Sequence, residues 1–281
     1  MGFFEDVDAL GIVERHIQQV LKLEDSETKK LLRRYKEARR ELQDRLMFLP
    51  EGSFTAQRVR GVLMQVEAGM SAMNQALKEG IKEVAPDVAL KGVEDLISET
   101  KAFEKEFRGA VIPINLNAQL VAEDTANFLL NQKEASIDAY SGALRSQIVS
   151  DITMASLMQE SAGMTVGRMV KSVGEFFIGE EWKLWRIGRT ELHNIYNVGK
   201  IKGMETMQAG VLPDIQKALM HPMDNRTGND SKALAVENPI VDIDQPFVFF
   251  WKGDKRVFMA PPDRPNDRAI LIPYRKSWGA P

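Results

Sequence analysis

A short proline-rich stretch near the carboxyl end limits what this chain can fold into more than any other feature. It runs Met259-Ala260-Pro261-Pro262-Asp263-Arg264-Pro265-Asn266-Asp267-Arg268-Ala269-Ile270-Leu271-Ile272-Pro273. Pro261, Pro262 and Pro265 each hold φ at about −65° and remove a backbone donor, so no helix runs through them. The residue before each proline is pushed to an extended conformation. Asn266 and Asp267 bond their own backbone readily and favour a turn. Beyond them, Ala269 to Ile272 is an unbroken apolar run that reads as a short buried strand. Val257-Phe258-Met259 on the near side is its natural partner. The residues alone therefore predict two strands joined by a stiff loop. That loop carries two aspartates and two arginines, which in the plainest reading pair with one another.

Upstream of Gly210 the texture is helical. Phe4, Val7, Leu10, Val13, Ile17 and Val20 recur at helical spacing. Asp25 or Ser26 is placed to cap a second helix, with Leu31, Leu32, Tyr35, Leu42 and Leu46 on one face. The opposite face carries Arg33, Arg34, Arg39 and Arg40 among glutamates three or four residues away. Those four arginines are the candidate DNA contacts of the first half, and a solvated face laced with ion pairs is the plainer reading. Pro50-Glu51-Gly52-Ser53 is a clear break. A long helix follows, with a stripe from Val59 to Leu77 and glycines at 61, 69 and 80 that permit close helix approach. Pro86 is expected to interrupt it, and Val88 to Phe107 to form another helix. Gly109 to Asn115 is the candidate hinge. Helices then resume over Leu120 to Leu130 and Ile137 to Met158. Breaks are expected at Gly163-Met164-Thr165 and at Gly179, then a helix from Trp182 to Met207 that Gly210 stops.

From Val211 short apolar runs replace helical stripes: Ile240-Val241, Phe247 to Trp251, and the pair around the proline-rich loop. Lys252-Gly253-Asp254-Lys255 reads as the turn of a hairpin between Phe247–Trp251 and Arg256–Met259. A unit this small buries little by itself, so it is expected to pack on the Trp182–Met207 helix. The fold class is α+β: a predominantly helical first two-thirds, then a small α+β unit with short antiparallel strands. The expected regions are 1–110, 111–180 and 181–281.

Composition excludes several kinds of chemistry. The 281 residues include no cysteine, which removes disulfides, thiol catalysis and cysteine-held zinc. The three histidines, His16, His193 and His221, lie far apart in sequence, which argues against a histidine-rich metal site. No apolar run approaches the ~20 residues that span a bilayer, so no stable membrane anchor is expected. The start, Met1 to Asp6, lacks the basic region of a secretory signal. Net charge is −3, yet from Trp182 onward there are 15 Lys/Arg against 11 Asp/Glu. That mild basic bias could face DNA or an acidic protein. No phosphate-binding loop, zinc-protease motif or nucleophile elbow is present.

Three blocks in the last third carry a resemblance. Arg189-Thr190-Glu191 is followed by Asn194, Asn197 and Gly199. Asp224-Asn225-Arg226-Thr227 is followed by Asp230-Ser231. Pro261-Pro262-Asp263-Arg264-Pro265-Asn266-Asp267-Arg268 is followed by an apolar strand and Pro273. In order and spacing these resemble the T-E helix, the D-x-R-T block and the closing P-P-x-[HR]-P-N-[CD]-R loop of the Mu F-like head-morphogenesis domain of tailed phages. The resemblance implies a minor head protein without catalytic residues or cofactor. Such a protein is assembled in the host cytoplasm and carried inside the virion head. Its implied partners are the portal protein, the major capsid or scaffold protein, and packaged double-stranded DNA. Its implied roles are assembly, DNA packaging and genome ejection. The implied structural or partner-docking motif is Arg189, Thr190, Glu191, Asn194, Asp224, Arg226, Thr227, Asp263, Arg264, Asn266, Asp267 and Arg268. Many members have cysteines near the second block and at the position of Asp267, suggesting zinc. This sequence lacks those cysteines, so no metal is expected and polar and ionic bonds are expected to take over.

Two alternatives follow from the same residues. Glu191 could be a buried acid anchoring Arg226, Arg264 or Arg268, or it could serve an NAD-dependent ADP-ribosyltransferase-like toxin, a fold to which the domain has been likened. The expected Ser-Thr-Ser block and paired acidic motif of that activity are absent. The third reading is a DNA-binding structural protein using Arg33, Arg34, Arg39, Arg40 and the basic residues of the Trp182–Lys202 helix.

Overall fold

The computed structural model describes residues 9–48, 56–129, 146, 150, 162–222, 227–237, 240–264 and 267–278. The fold is α+β, with long helices first and short antiparallel strands last. Helix α1 is Leu10–Met47 and α2 is Ala56–Arg108. Helix α3 covers 118–129 and α4 is Ala162–Ala209. Then come β1 (Ile215–Met220), α5 (Asn229–Glu237), β2 (Ile240–Val241), β3 (Phe247–Trp251), β4 (Asp254–Phe258) and β5 (Ile270–Arg275). A single 3-10 turn follows at Lys276–Trp278.

The helices are longer than the breaker residues suggest. Helix α1 runs unbroken through Asp25 and Ser26. Flanking Glu24, Glu27 and Thr28 are buried, and Asp25 meets Arg189 at 3.3 Å, so tertiary partners hold a segment that would otherwise cap. Pro86 lies inside α2 instead of ending it. Ala85, Val88 and Ala89 around it are fully buried, and packing on both sides overrides a local preference. Gly163 and Gly179 lie within α4, since glycine weakens a helix without forbidding it. Gly109 ends α2 with φ at 64° and its N–H on the Lys105 carbonyl at 3.0 Å. The expected helix from Ile137 to Met158 falls almost wholly outside the described residues, as does the Pro50–Ser53 break.

Contacts group the chain into two units, each discontinuous in sequence. One comprises Met1–Glu27, Val84–Leu129 and Arg186–Pro281; the other comprises Thr28–Glu83 and Leu130–Trp185. In the second, α1 and α2 run antiparallel. The Leu42 side chain fills the notch at Gly69, the Leu31 side chain fills the notch at Gly80, and Arg34 pairs with Glu83 at 2.5 Å. Gly61 faces open space and marks no approach.

The first unit holds the strands. β1 is central, with β2 and β5 antiparallel on either side. β3 and β4 form a separate ribbon whose turn, Lys252-Gly253, has φ of 50° and 90°. Positive φ at both positions matches the twist of a two-residue hairpin. Two expectations about the final strand are corrected. β5 continues through Pro273 to Arg275, and it pairs with β1, not with Val257–Met259. Pro273 is tolerated because β5 is an edge strand. One core joins these parts: Leu96 of α2, Ile201, Met204 and Met207 of α4, Ile215 and Leu219 of β1, Leu234 of α5, Phe247 and Phe249 of β3, and Leu271 of β5. The expected packing of the strands on the last long helix is present, with α2 as a second support.

Two glycines set how closely the helices of this unit meet. A Cβ on Gly92 would lie 2.3 Å from the Tyr196 carbonyl oxygen, and one on Gly199 would lie 2.7 Å from that of Ala89. At this crossing α2 and α4 touch backbone to backbone.

Candidate functional site

The site is the place where α4 grips β5. Because β5 is the outer strand, its edge would leave backbone groups unpaired. Three side chains of α4, spaced four and three residues apart, cover that edge. Asn197 accepts the Leu271 N–H on Oδ1 at 2.8 Å and donates from Nδ2 to the carbonyls of His193 and Ala269, at 3.0 and 3.4 Å. Lys200 Nζ donates to the Leu271 carbonyl at 2.9 Å and to both oxygens of Glu99 at 2.7 and 2.8 Å. His193 contacts the Ala269 carbonyl through Nε2 at 2.5 Å and Glu24 Oε1 through Nδ1 at 2.5 Å.

The polar groups beneath this grip are themselves linked. Lys200, Glu99 and Asn197 are fully buried. His16 lies 2.9 Å from Glu99 and 3.4 Å from Asp95, and the Tyr196 hydroxyl donates to Asp95 at 2.9 Å. Lys91 bonds Asp95 at 2.5 Å. Burial and the neighbouring Glu99 and Asp95 push the Tyr196 hydroxyl well above the usual phenol range, so it serves as a donor. At the end of the strand, Arg275 bonds Asp214 at 2.7 Å through Nε and also reaches Glu104, which accepts from the Trp278 indole at 2.7 Å.

His193 places an acceptor at each ring nitrogen, an arrangement that suits the imidazolium. Burial alone would lower its pKa, but the Glu24 carboxylate and the Ala269 carbonyl outweigh it and the net shift is upward. A raised value in the folded state means that the stabilisation is complete below the unfolded value of ~6.5 and is lost as pH rises through the folded one. His221 shifts the other way, chiefly through burial, and acts below that window. Burial lowers Lys217 to about 8, and that amine acts at and above it with the opposite sign. Between about pH 6.5 and 8, the melting temperature of the native chain is therefore expected to fall relative to His193→Gln. Parallel pH profiles of the two would expose a wrong assignment of charge to His193.

The proline-rich loop is fixed from the other side by α5. Arg264 forks onto Asp230, with Nη2 at 2.7 Å from Oδ1, and bonds Ser231 Oγ at 2.8 Å. Arg256 bridges Asp263 and Asp230, both at 3.0 Å. Asp267 organises the loop's own backbone, accepting from Asp263 N–H at 3.3 Å and Ala269 N–H at 3.2 Å. Arg268 reaches the Thr227 hydroxyl at 3.4 Å, and that hydroxyl donates to the Pro222 carbonyl. The Pro261–Pro262 peptide is cis. The expectation that the loop charges pair with one another is corrected: Arg264 takes Asp230 of α5 rather than Glu191, Asp263 takes Arg256 of β4, and Asp267 turns to backbone N–H groups, because α5 and β4 place opposite charges closer than the stiff loop can.

Among the other sequence candidates, Arg189 pairs with Asp25, and Thr190 bonds the Arg186 carbonyl within its own helix at 2.7 Å. Glu191 and Asn194 are half-buried on α4. Asp224, Arg226 and Asn266 lie outside the described residues. Of the four DNA candidates, Arg33 pairs with Glu37 at 3.4 Å and Arg34 with Glu83 at 2.5 Å. Arg39 is half-buried and Arg40 exposed. Lys200, counted with the basic face of its helix, is sealed inside the unit. Among the described residues no cluster of three or more His, Asp or Glu could hold a metal ion, and no helix is long and apolar enough to cross a membrane.

Sequence reasoning missed Glu24, Asp95, Glu99 and the grip of Lys200. The available signal was a polar file, His193, Asn197 and Lys200, running inside the apolar sector that Leu192, Ile195, Tyr196 and Ile201 define. Comparison with known protein families, curated proteins and solved structures returns no match.

Proposed function

We propose that this chain is a minor head protein of a tailed phage, a virion component that associates with the portal protein inside the head. In this reading it takes part in assembly, DNA packaging or genome ejection, and it works by docking, without turnover. The major capsid or scaffold protein and packaged double-stranded DNA are its further partners.

One observation supports the reading: the described parts of the three blocks that resemble the Mu F-like domain meet in space. The helix of Arg189-Thr190-Glu191 continues into Asn197 and Lys200, which hold Leu271 just beyond the loop. The loop arginine Arg264 holds Asp230 and Ser231 of the second block. The described parts of a motif spread over about eighty positions are thus tied together by side-chain bonds, which suits a docking element. The ion pairs of Arg33 and Arg34 leave the DNA-binding alternative without comparable support.

The test is co-purification of the tagged chain with the portal protein encoded beside it, together with mass spectrometry of purified heads. The chain is expected in both samples. Its absence from heads, or NAD turnover that Glu191→Gln abolishes, would overturn the proposal.

A further inference from the structure

The β3–β4 ribbon has one face in the core and one face toward solvent. Phe247 and Phe249 face inward, with Phe258 packed beside them. The alternate positions carry Val248, Phe250 and Val257, and Met259 follows on the same side. These four are 46%, 65%, 55% and 44% exposed. Val248 and Val257 sit directly opposite each other across the ribbon. The solvated face of an antiparallel pair normally carries polar residues, and clustered exposed apolar side chains mark an interaction site.

Two more features define what would bind there. The ribbon has no third strand among the described residues, so its outer edges present backbone donors and acceptors that can pair with another chain. At the tip, Lys255 stands 6.0 Å from the Phe250 ring centre and Lys252 stands 5.8 Å from that of Trp251. Neither lysine makes an ion pair among the described residues.

From the apolar face, the open edges and the two exposed lysines that flank Asp254 without pairing with it we infer that the ribbon docks an extended acidic segment of another protein. That segment adds a strand to an outer edge and lays its apolar side chains over Val248, Phe250 and Val257. Its carboxylates meet Lys252 and Lys255. A second copy of this chain is the poorer occupant. Four half-exposed side chains offer far less than the ~800 Å² per partner that a stable dimer buries, and a second ribbon brings two more lysines. Double-stranded DNA would use the lysines and leave both the apolar face and the backbone edges unused. The inference concerns the ribbon alone and stands apart from the proposed role in a phage head.

The experiment titrates isotope-labelled full-length protein with a blocked synthetic peptide of alternating glutamate and valine. A control peptide has lysine for each glutamate, and a DNA duplex is titrated separately. The glutamate peptide should shift the amides of residues 247–258 saturably and slow hydrogen exchange along one outer edge. Affinity should fall at least tenfold with the lysine peptide and in Phe250→Ser, a substitution at an exposed position that leaves thermal melting unchanged. Lys255→Glu should reverse the preference between peptides. The inference fails if the glutamate peptide gives no saturable shift, or if both peptides bind alike. It fails equally if only DNA shifts these amides, or if they report a dimer that Phe250→Ser abolishes.

Discussion

An alanine at Gly92 is expected to lower the unfolding free energy by about 3 kcal/mol, the scale of a strongly overpacked core. The added carbon would sit 2.3 Å from the Tyr196 carbonyl oxygen. That atom belongs to the backbone of another helix and cannot rotate away as a side chain could. Helices α2 and α4 must separate, and separation loosens the buried layer of Val93, Leu96 and Tyr196 at the same crossing. The helix-propensity gain of alanine over glycine, ~1 kcal/mol, offsets only part of this. Gly199→Ala should behave similarly, because it meets Ala89 in the same way. Gly61→Ala is the control: nothing lies within 4 Å of the new carbon, so a gain of up to ~1 kcal/mol is expected. Urea unfolding of the three variants checks the ranking, and a Gly92→Ala protein as stable as Gly61→Ala would refute the close crossing.

Lys200→Met is expected to cost about 3–5 kcal/mol, the range for removing one partner of a buried ion pair. The lysine and Glu99 are both wholly buried, and the ammonium bonds both carboxylate oxygens as well as the Leu271 carbonyl. Removing it leaves the buried Glu99 carboxylate with His16 as its remaining partner among the described residues. It also strips one cover from the β5 edge. Adding Glu99→Leu should recover much of the loss, since replacing a whole buried pair with apolar side chains is often neutral. Equal stability of the Lys200→Met single and double variants would show that Glu99 carries no uncompensated charge.

The parts of the fold legible in the sequence are those with local causes. The β3–β4 hairpin follows from alternation plus a Lys-Gly turn, and β5 from an apolar run bounded by prolines. β1 was not legible. Its residues, Ile215-Gln216-Lys217-Ala218-Leu219-Met220, have no β-branched run and bury a lysine whose Nζ donates to the Met259 carbonyl at 2.9 Å. Asp25, Pro86, Gly163 and Gly179 read as breaks because propensity acts locally, while the continuity of α1 and α2 is set by partners distant in sequence and α4 shows that glycine weakens a helix without ending it. The candidate site divides in the same way. The stiff charged loop announced itself through proline and Asx density, but its partners did not: Asp263 and Arg264 pair with Arg256 and Asp230 outside it. Of the residues that hold the strand, Glu99 and Glu24 look in sequence like the solvent face of helices, and only the polar file of His193, Asn197 and Lys200 inside an apolar sector hints at burial. Their partners lie some seventy to one hundred and seventy positions away.

The central claim is that α4 side chains hold the backbone of β5 just beyond the proline-rich loop. Native-state hydrogen exchange at the Leu271 amide, in the native chain and in Asn197→Ala, tests it most directly. The amide bonds Asn197 Oδ1, and among the described residues no strand covers that edge. In the native chain it is therefore expected to exchange only on global unfolding, and in Asn197→Ala at least tenfold faster than its neighbours Ile270 and Ile272. Fast exchange at Leu271 in the native chain, or protection unchanged by the substitution, would contradict the account.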